Sequence, residues 1–217
     1  MIEGIDRQDR FTQFDTGAVR DIQEDKGRCD LAPIGVEALL FAYWEDHFPF
    51  DAVGTEEPEN ILSMCMHSIL CNIDYYMWKG NTNNLLAAIC VFINAVDIWH
   101  NTTLNDPSIV WNATTPLCLA LLEVSKHYKQ GAQKYGERNW EKGIPLHSYI
   151  DSGVRHLMKY KAGYTDERHD LAFIWNLIGC IYTQNFNTNN SLKDIPYFND
   201  KIFNKLKPKK DDVKEND

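Results

Sequence analysis

A chain of 217 residues with 44% hydrophobic content carries enough apolar side chain to fill a substantial core, so disorder is not the expectation. Its formal net charge of -9 argues against a general nucleic-acid binder, because phosphate backbones are held by exposed Lys and Arg clusters. No apolar run reaches the roughly 18 residues of a membrane helix, and the charged segment 1–10 is unlike a leader, so the reading is a cytoplasmic protein with no membrane partner.

The first legible element is a polar arm, 11–33, containing Phe14-Asp-Thr-Gly-Ala-Val-Arg-Asp21 and Lys26-Gly-Arg-Cys-Asp-Leu-Ala-Pro33. Thr16, Gly17 and Ala18 allow close backbone approach, while Arg20, Lys26 and Arg28 are candidates to receive phosphate oxygens. The competing structural reading pairs Arg20, Asp21, Arg28 and Asp30 in surface salt bridges.

Helix punctuation is clear beyond the arm. Pro33, Pro58 and Pro116 sit where a proline opens a helix, Thr82, Ser148 and Thr165 suit N-caps, and Gly80, Gly131 and Gly163 suit C-terminal stops. These signals predict helices at 33–47, 58–79, 82–99, 116–130, 148–162 and 165–184, and nothing between them alternates as a strand would. The fold class is therefore all-α, a helical bundle in one domain spanning 1–204, followed by a charged tail at 205–217. Loops at 49–57 and 101–114 bracket the pair 58–99, which reads as an inserted helix pair over about 49–114. Its apolar residues, Ile61, Leu62, Ile69 and Leu86 among them, suit packing on the bundle or on a second copy, so a homo-oligomer through helical surfaces is expected. The six cysteines lack a C-x-x-C pair and read as small, reduced hydrophobes.

Chemistry concentrates downstream. Gly131-Ala-Gln-Lys-Tyr-Gly-Glu-Arg-Asn-Trp-Glu-Lys-Gly-Ile-Pro145 interleaves Tyr135 and Trp140 with Lys134, Arg138 and Asn139. Read as a loop, it can stack a base, read its edge through Asn139 and neutralise phosphate with Lys134 or Arg138; the alternative is that Tyr135 and Trp140 pin it to the core. Ser152, Arg155, His156 and Lys159 fall at i, i+3, i+4 and i+7, one polar helical face that could equally meet solvent. In Thr165-Asp-Glu-Arg-His-Asp170, Asp166, Glu167 and Asp170 offer hard oxygen ligands, whereas His156 and His169 suit a softer metal or acid–base work. Asp166 and Glu167 also suit a helix N-terminus electrostatically.

The strings T-G-A-V-R-D, K-G-R-C-D-L-A-P, G-A-Q-K-Y-G-E-R-N-W-E-K-G-I-P, S-G-V-R-H-L, D-E-R-H and W-N resemble the phage-associated dATP/dGTP diphosphohydrolase N-terminal-domain family, over about 11–33 and 116–180. The resemblance implies a MazG-type context, in which E-x-x-E and a later E-x-x-D mark a Mg²⁺ site. Glu167-Arg-His-Asp170 matches the second element, while Glu137 and Glu141 are spaced E-x-x-x-E. The activity that the resemblance implies is hydrolysis of the α–β phosphoanhydride of a purine (deoxy)nucleoside triphosphate to monophosphate and pyrophosphate, in the cytoplasm of a phage-infected bacterium. Mg²⁺, or Mn²⁺, would rest on Asp166, Glu167 and Asp170. Catalysis would fall to His156, His169 and Glu167. Substrate would be held by Arg20, Lys26, Arg28, Lys134, Tyr135, Arg138, Asn139, Trp140, Ser152 and Arg155. The alternatives are a non-catalytic nucleotide-sequestering protein and an HD-type phosphohydrolase, since His169-Asp170 is an H-D dipeptide with His156, and His127 further back, upstream of it. On any of these readings, the segments 131–145, 152–159 and 166–170 must converge on one pocket.

Overall fold

A computed structural model describes residues 11–13, 15–16, 19–21, 26–47, 58–96 and 114–195. The predicted loops 49–57 and 101–113, the tail 205–217 and the side chain of Arg20 lie outside the described residues. The six described α-helices are α1 (Ile34–His47), α2 (Pro58–Lys79), α3 (Asn83–Ala95), α4 (Thr115–Tyr135), α5 (Leu146–Lys161) and α6 (His169–Phe186). The arm adds a small antiparallel ribbon, β1 (Phe11–Gln13) and β2 (Val19–Asp21), pairing Phe11 with Asp21 and Gln13 with Val19. Among the described residues the fold is all-helical apart from this ribbon, which sequence reading did not expect.

Pro58 and Pro116 open α2 and α4 as expected, Pro116 within the first turn. Several boundaries differ from expectation: Ser148 lies inside α5, which opens at Leu146, and α3 ends at Ala95 instead of 99. Gly131 does not end α4, which runs on through Ala132, Gln133 and Lys134 to Tyr135. A lone interior glycine costs only about 1 kcal/mol relative to alanine, and the actual stop is Gly136, whose φ of 89° suits a residue without Cβ. Similarly, Thr165 does not cap α6. The helix begins at His169, so Asp166 and Glu167 sit in the connection from α5, where the His169 amide donates to the Glu167 carbonyl at 2.9 Å.

One continuous cluster of buried residues includes Trp44 of α1, Tyr76 of α2, Phe92 of α3, Leu117 of α4, Tyr149 of α5 and Phe173 of α6. The predicted inserted pair, α2 and α3, shares this core: the Cys180 thiol of α6 donates to the Tyr76 hydroxyl at 3.3 Å, and Phe92 meets Phe173 edge-on at 4.6 Å. Four cysteines are buried or half-buried as expected, but Cys29 and Cys71 are exposed; all six are free. No described helix is long and apolar enough to cross a membrane.

The helices that bear the motifs, α5 and α6, pack antiparallel across two glycines. A Cβ on Gly179 would stand 2.4 Å from the Tyr149 ring, and one on Gly153 would stand 2.9 Å from Leu177. Both would intrude on buried side chains, so these positions set how closely the helices approach. Gly179→Ala should therefore lower stability by about 1–3 kcal/mol through overpacking, despite alanine's better helix propensity. Equilibrium denaturation checks this; unchanged stability would mean Tyr149 gives way freely.

Candidate functional site

The α5–α6 connection folds back on its own helices. His156, a little over one turn from the end of α5, faces His169 at the start of α6, with their Nδ1 atoms 2.9 Å apart. Glu167 Oε1 lies 3.3 Å from each of those nitrogens. Behind this triangle, Asp166 Oδ1 accepts from Nε2 of the fully buried His169 at 2.8 Å, and Lys159 Nζ donates to Asp166 Oδ2 at 3.2 Å. Hydrogen bonds from His169 and then Lys159 hold the Asp166 carboxyl down at about 2. Burial pushes the His156 imidazole below its ordinary value, with Glu167 opposing. The two histidines predicted to share a site are thus in contact.

Asp170 lies elsewhere. Its buried carboxylate accepts from Arg168 Nη2 at 2.7 Å and Nε at 3.0 Å, and Arg168 also reaches Glu123 of α4 at 3.6 Å. Glu123, in turn, accepts from Lys126 at 2.5 Å. The hard oxygens expected to gather around Mg²⁺ are therefore divided: Asp170 with Arg168, Asp166 behind His169, and Glu167 between two imidazoles. E-x-x-D spacing brings carboxylates together on a helix, but Glu167 is not helical here.

Beside the cluster, a cavity of about 390 Å³ opens between the end of α4, the turn Asn139–Lys142 and α6. Tyr128, Tyr135, Trp140 and Trp175 supply aromatic walls, and Gly131, Arg138 and Asn139 complete one side. His127 lines this cavity and packs against Trp175 at 6.0 Å. Burial holds its imidazole low, while the charges of Glu167, Asp170 and His156 all act on it. His127 therefore lines the aromatic cavity while feeling the charges of the polar cluster.

The predicted substrate-binding residues divide. Tyr135 is exposed on the last turn of α4, with Lys134 Nζ 4.9 Å over its ring, so both sit on helix rather than loop. Trp140 is buried, and its indole donates to the Leu31 carbonyl at 2.8 Å, which pins the turn to the arm. Arg138, at φ 51°, donates to the Asp30 carbonyl at 2.7 Å and to Glu141 at 2.7 Å, and stacks over Trp140. Asn139 accepts from Lys142 at 3.1 Å. Arg28 spans Asp30 at 2.6 Å and Glu137 at 3.0 Å, so Glu137 and Glu141 are both engaged by arginines. Arg155 pairs with Asp151 on α5, and Ser152 is half-buried on the same helix. Lys26 is exposed, its carbonyl accepting from Lys129.

Sequence reading missed Glu123, Arg168, Tyr128 and Trp175 as parts of the site. Glu123 and His127 stand one turn apart on α4, an i, i+4 signal that was available. Arg168 is the joint between α4 and α6. Arg168→Ala should leave Glu123 and Asp170 without their shared cation and destabilise the fold by about 1–3 kcal/mol, reduced from a fully buried pair because the guanidinium is half exposed. Thermal unfolding decides this, with an unchanged midpoint excluding the joint.

The family model described as dATP/dGTP diphosphohydrolase, N-terminal, matches residues 105–191, which contain α4, α5 and α6 and with them the cluster and most of the cavity wall. No curated protein and no solved structure matches the chain. Within 105–191 the chain is thus similar to the N-terminal region of dATP/dGTP diphosphohydrolases.

Proposed function

We propose that this protein binds a purine (deoxy)nucleoside triphosphate and hydrolyses its α–β phosphoanhydride, giving the monophosphate and pyrophosphate. The observation that carries the reading is the juxtaposition at His127 of an aromatic cavity with a cluster of imidazoles and a carboxylate. A cavity of that size and lining suits a heterocyclic base, and the neighbouring polar cluster suits the phosphates. The description of the matching family, a dATP/dGTP diphosphohydrolase, supports the substrate class.

In this scheme the base lies among Tyr135, Trp140 and Trp175, with Lys134 at the rim available to phosphate. Water enters beside His156 and Glu167 and attacks the α-phosphorus. The Pα–O bond to the β-phosphate breaks, pyrophosphate leaves, and the water's proton passes to an imidazole of the site; His127 is the one that borders both halves. Asp166, Glu167 and Asp170 do not form an oxygen cage of the kind Mg²⁺ takes, so no step is assigned to such a cage. The setting proposed is the cytoplasm of a phage-infected bacterium, with copies associating through exposed apolar helix positions such as Trp78 and Leu122.

A sequestering protein is the second reading, favoured by the dispersal of Asp166, Glu167 and Asp170 among separate partners, which leaves no oxygen cage for a catalytic Mg²⁺. It keeps the cavity and lacks turnover. An HD-type centre is less well served, because Asp170 turns to Arg168 instead of standing beside His169 as a co-ligand.

Gly131 offers a test of the cavity. It lies inside α4, lines the cavity, and a Cβ there would meet nothing within 4 Å. Gly131→Phe should leave stability equal or slightly higher and weaken purine nucleotide binding at least ~10-fold, by filling the base site. Calorimetry with dATP, dGTP, ATP and GTP, alongside product identification by chromatography, separates the readings. Monophosphate plus pyrophosphate supports hydrolysis, tight binding without products supports sequestration, and absence of both removes the nucleotide reading.

A further inference from the structure

We propose that His156, Glu167 and His169 form a seat for a divalent first-row transition ion, in preference to Mg²⁺. Nδ1 of His156, Nδ1 of His169 and Oε1 of Glu167 make a triangle with edges of 2.9, 3.3 and 3.3 Å. Three ligands about 2.0–2.1 Å from one ion, at angles between octahedral and tetrahedral, stand roughly 2.9–3.4 Å apart. The triangle has that size, and the ion would sit about 1 Å out of its plane.

With neutral imidazoles, hydrogen bonding within the cluster does not account for this approach. The Asp166 carboxylate takes the 2.8 Å bond from Nε2 of His169, which in the neutral imidazole places the proton on Nε2 and leaves a lone pair on Nδ1. That lone pair confronts the Glu167 carboxylate at 3.3 Å with no proton between them. A proton on His156 Nδ1 satisfies one of the two acceptors and leaves the other. A cation at the centre satisfies all three.

The donor set then selects the ion. Two imidazole nitrogens and one carboxylate are the ligands of Zn²⁺ and of non-haem Fe²⁺ sites, whereas Mg²⁺ requires oxygen and retains its water. The supporting bonds suit the same reading. A carboxylate behind a ligating histidine fixes its tautomer and raises its basicity, the place Asp166 takes behind His169, with Lys159 steadying Asp166. Glu167 is 46% exposed while His169 is fully buried, so the remaining positions on the ion open toward solvent. Any part for the ion in phosphate chemistry rests on the proposed nucleotide function; the seat does not.

The test uses the full chain stripped of metal by chelator, titrated with Co²⁺ without nucleotide and followed by visible absorption, with Mg²⁺ and Zn²⁺ as competitors. One equivalent of Co²⁺ should bind, be displaced by Zn²⁺, and resist at least a ~1,000-fold excess of Mg²⁺. His156→Gln and Glu167→Gln, both toward the rim, should weaken binding at least ~100-fold, and Asp166→Asn about 10–100-fold, with circular dichroism unchanged. His67→Ala, which removes the exposed His67–Cys71 pair on α2, should bind as the wild type does. Because His169 is buried, the rim variants keep the test valid if a His169 variant fails to fold. Displacement by equimolar Mg²⁺, wild-type binding in both rim variants, or loss in His67→Ala overturns the proposal. Nucleotide affinity, measured separately on the stripped protein, shows whether the nucleotide reading fails independently.

Discussion

The contact between α5 and α6 governs the geometry of the whole site. Because Gly153 and Gly179 remove two side chains from that interface, the helices lie close enough for Tyr149 and Leu177 to fill the space where Cβ atoms would stand. That register places His156 opposite His169, and the connection has no course except back over them. The Thr165–Arg168 segment therefore delivers Glu167 to the front of the pair and Asp166 to its rear. A chemical cluster emerges from a packing constraint between two glycines that carry no chemistry themselves.

Most of the charge around the site is already paired. Arg28, Arg138 and Arg168 each meet carboxylates, and these pairs tie the arm to the 136–142 turn and α4 to α6. Exposed pairs of this kind add little stability individually, but the Arg168 group involves two largely buried carboxylates and is of a different order. The less committed groups are His127, which lines the cavity, and His156 and Glu167, which face each other and His169. An acidic protein can thus present a site of neutral imidazoles and one carboxylate, with its positive charge serving architecture.

Much of this was legible in the sequence and some was not, for identifiable reasons. Pro58, Pro116 and Gly163 mark helix ends because their backbone restrictions are local, and the structure follows them. Gly131 misled because a glycine's modest helical penalty is outweighed by the helix formers after it and by Gly136 beyond. The facing of His156 and His169 followed from the expected short turn between their helices. The role of Asp170 did not, because a carboxylate's partner depends on which arginine arrives beside it, and Arg168 reaching Glu123 is a tertiary fact. Trp140 and Arg138 read equally well as base-binding or pinning groups. Composition cannot separate these, since the deciding acceptor, the Leu31 carbonyl, is about a hundred residues away.

That carbonyl has a thermodynamic consequence. Leu31 is part of the cavity wall, and the segment carrying it is fastened by the Arg28 amide to the Ser125 carbonyl, by Trp140 to Leu31 and by Arg138 to Asp30. Gly27 lets this segment lie flush on α4, where a Cβ would overlap the Ser125 hydroxyl. The cavity is thus complete only while a strap from early in the chain is docked on helices from its later half. Occupancy and docking are linked equilibria: whatever fills the cavity and touches the strap shifts the strap toward its docked state by the same free energy that docking contributes to affinity.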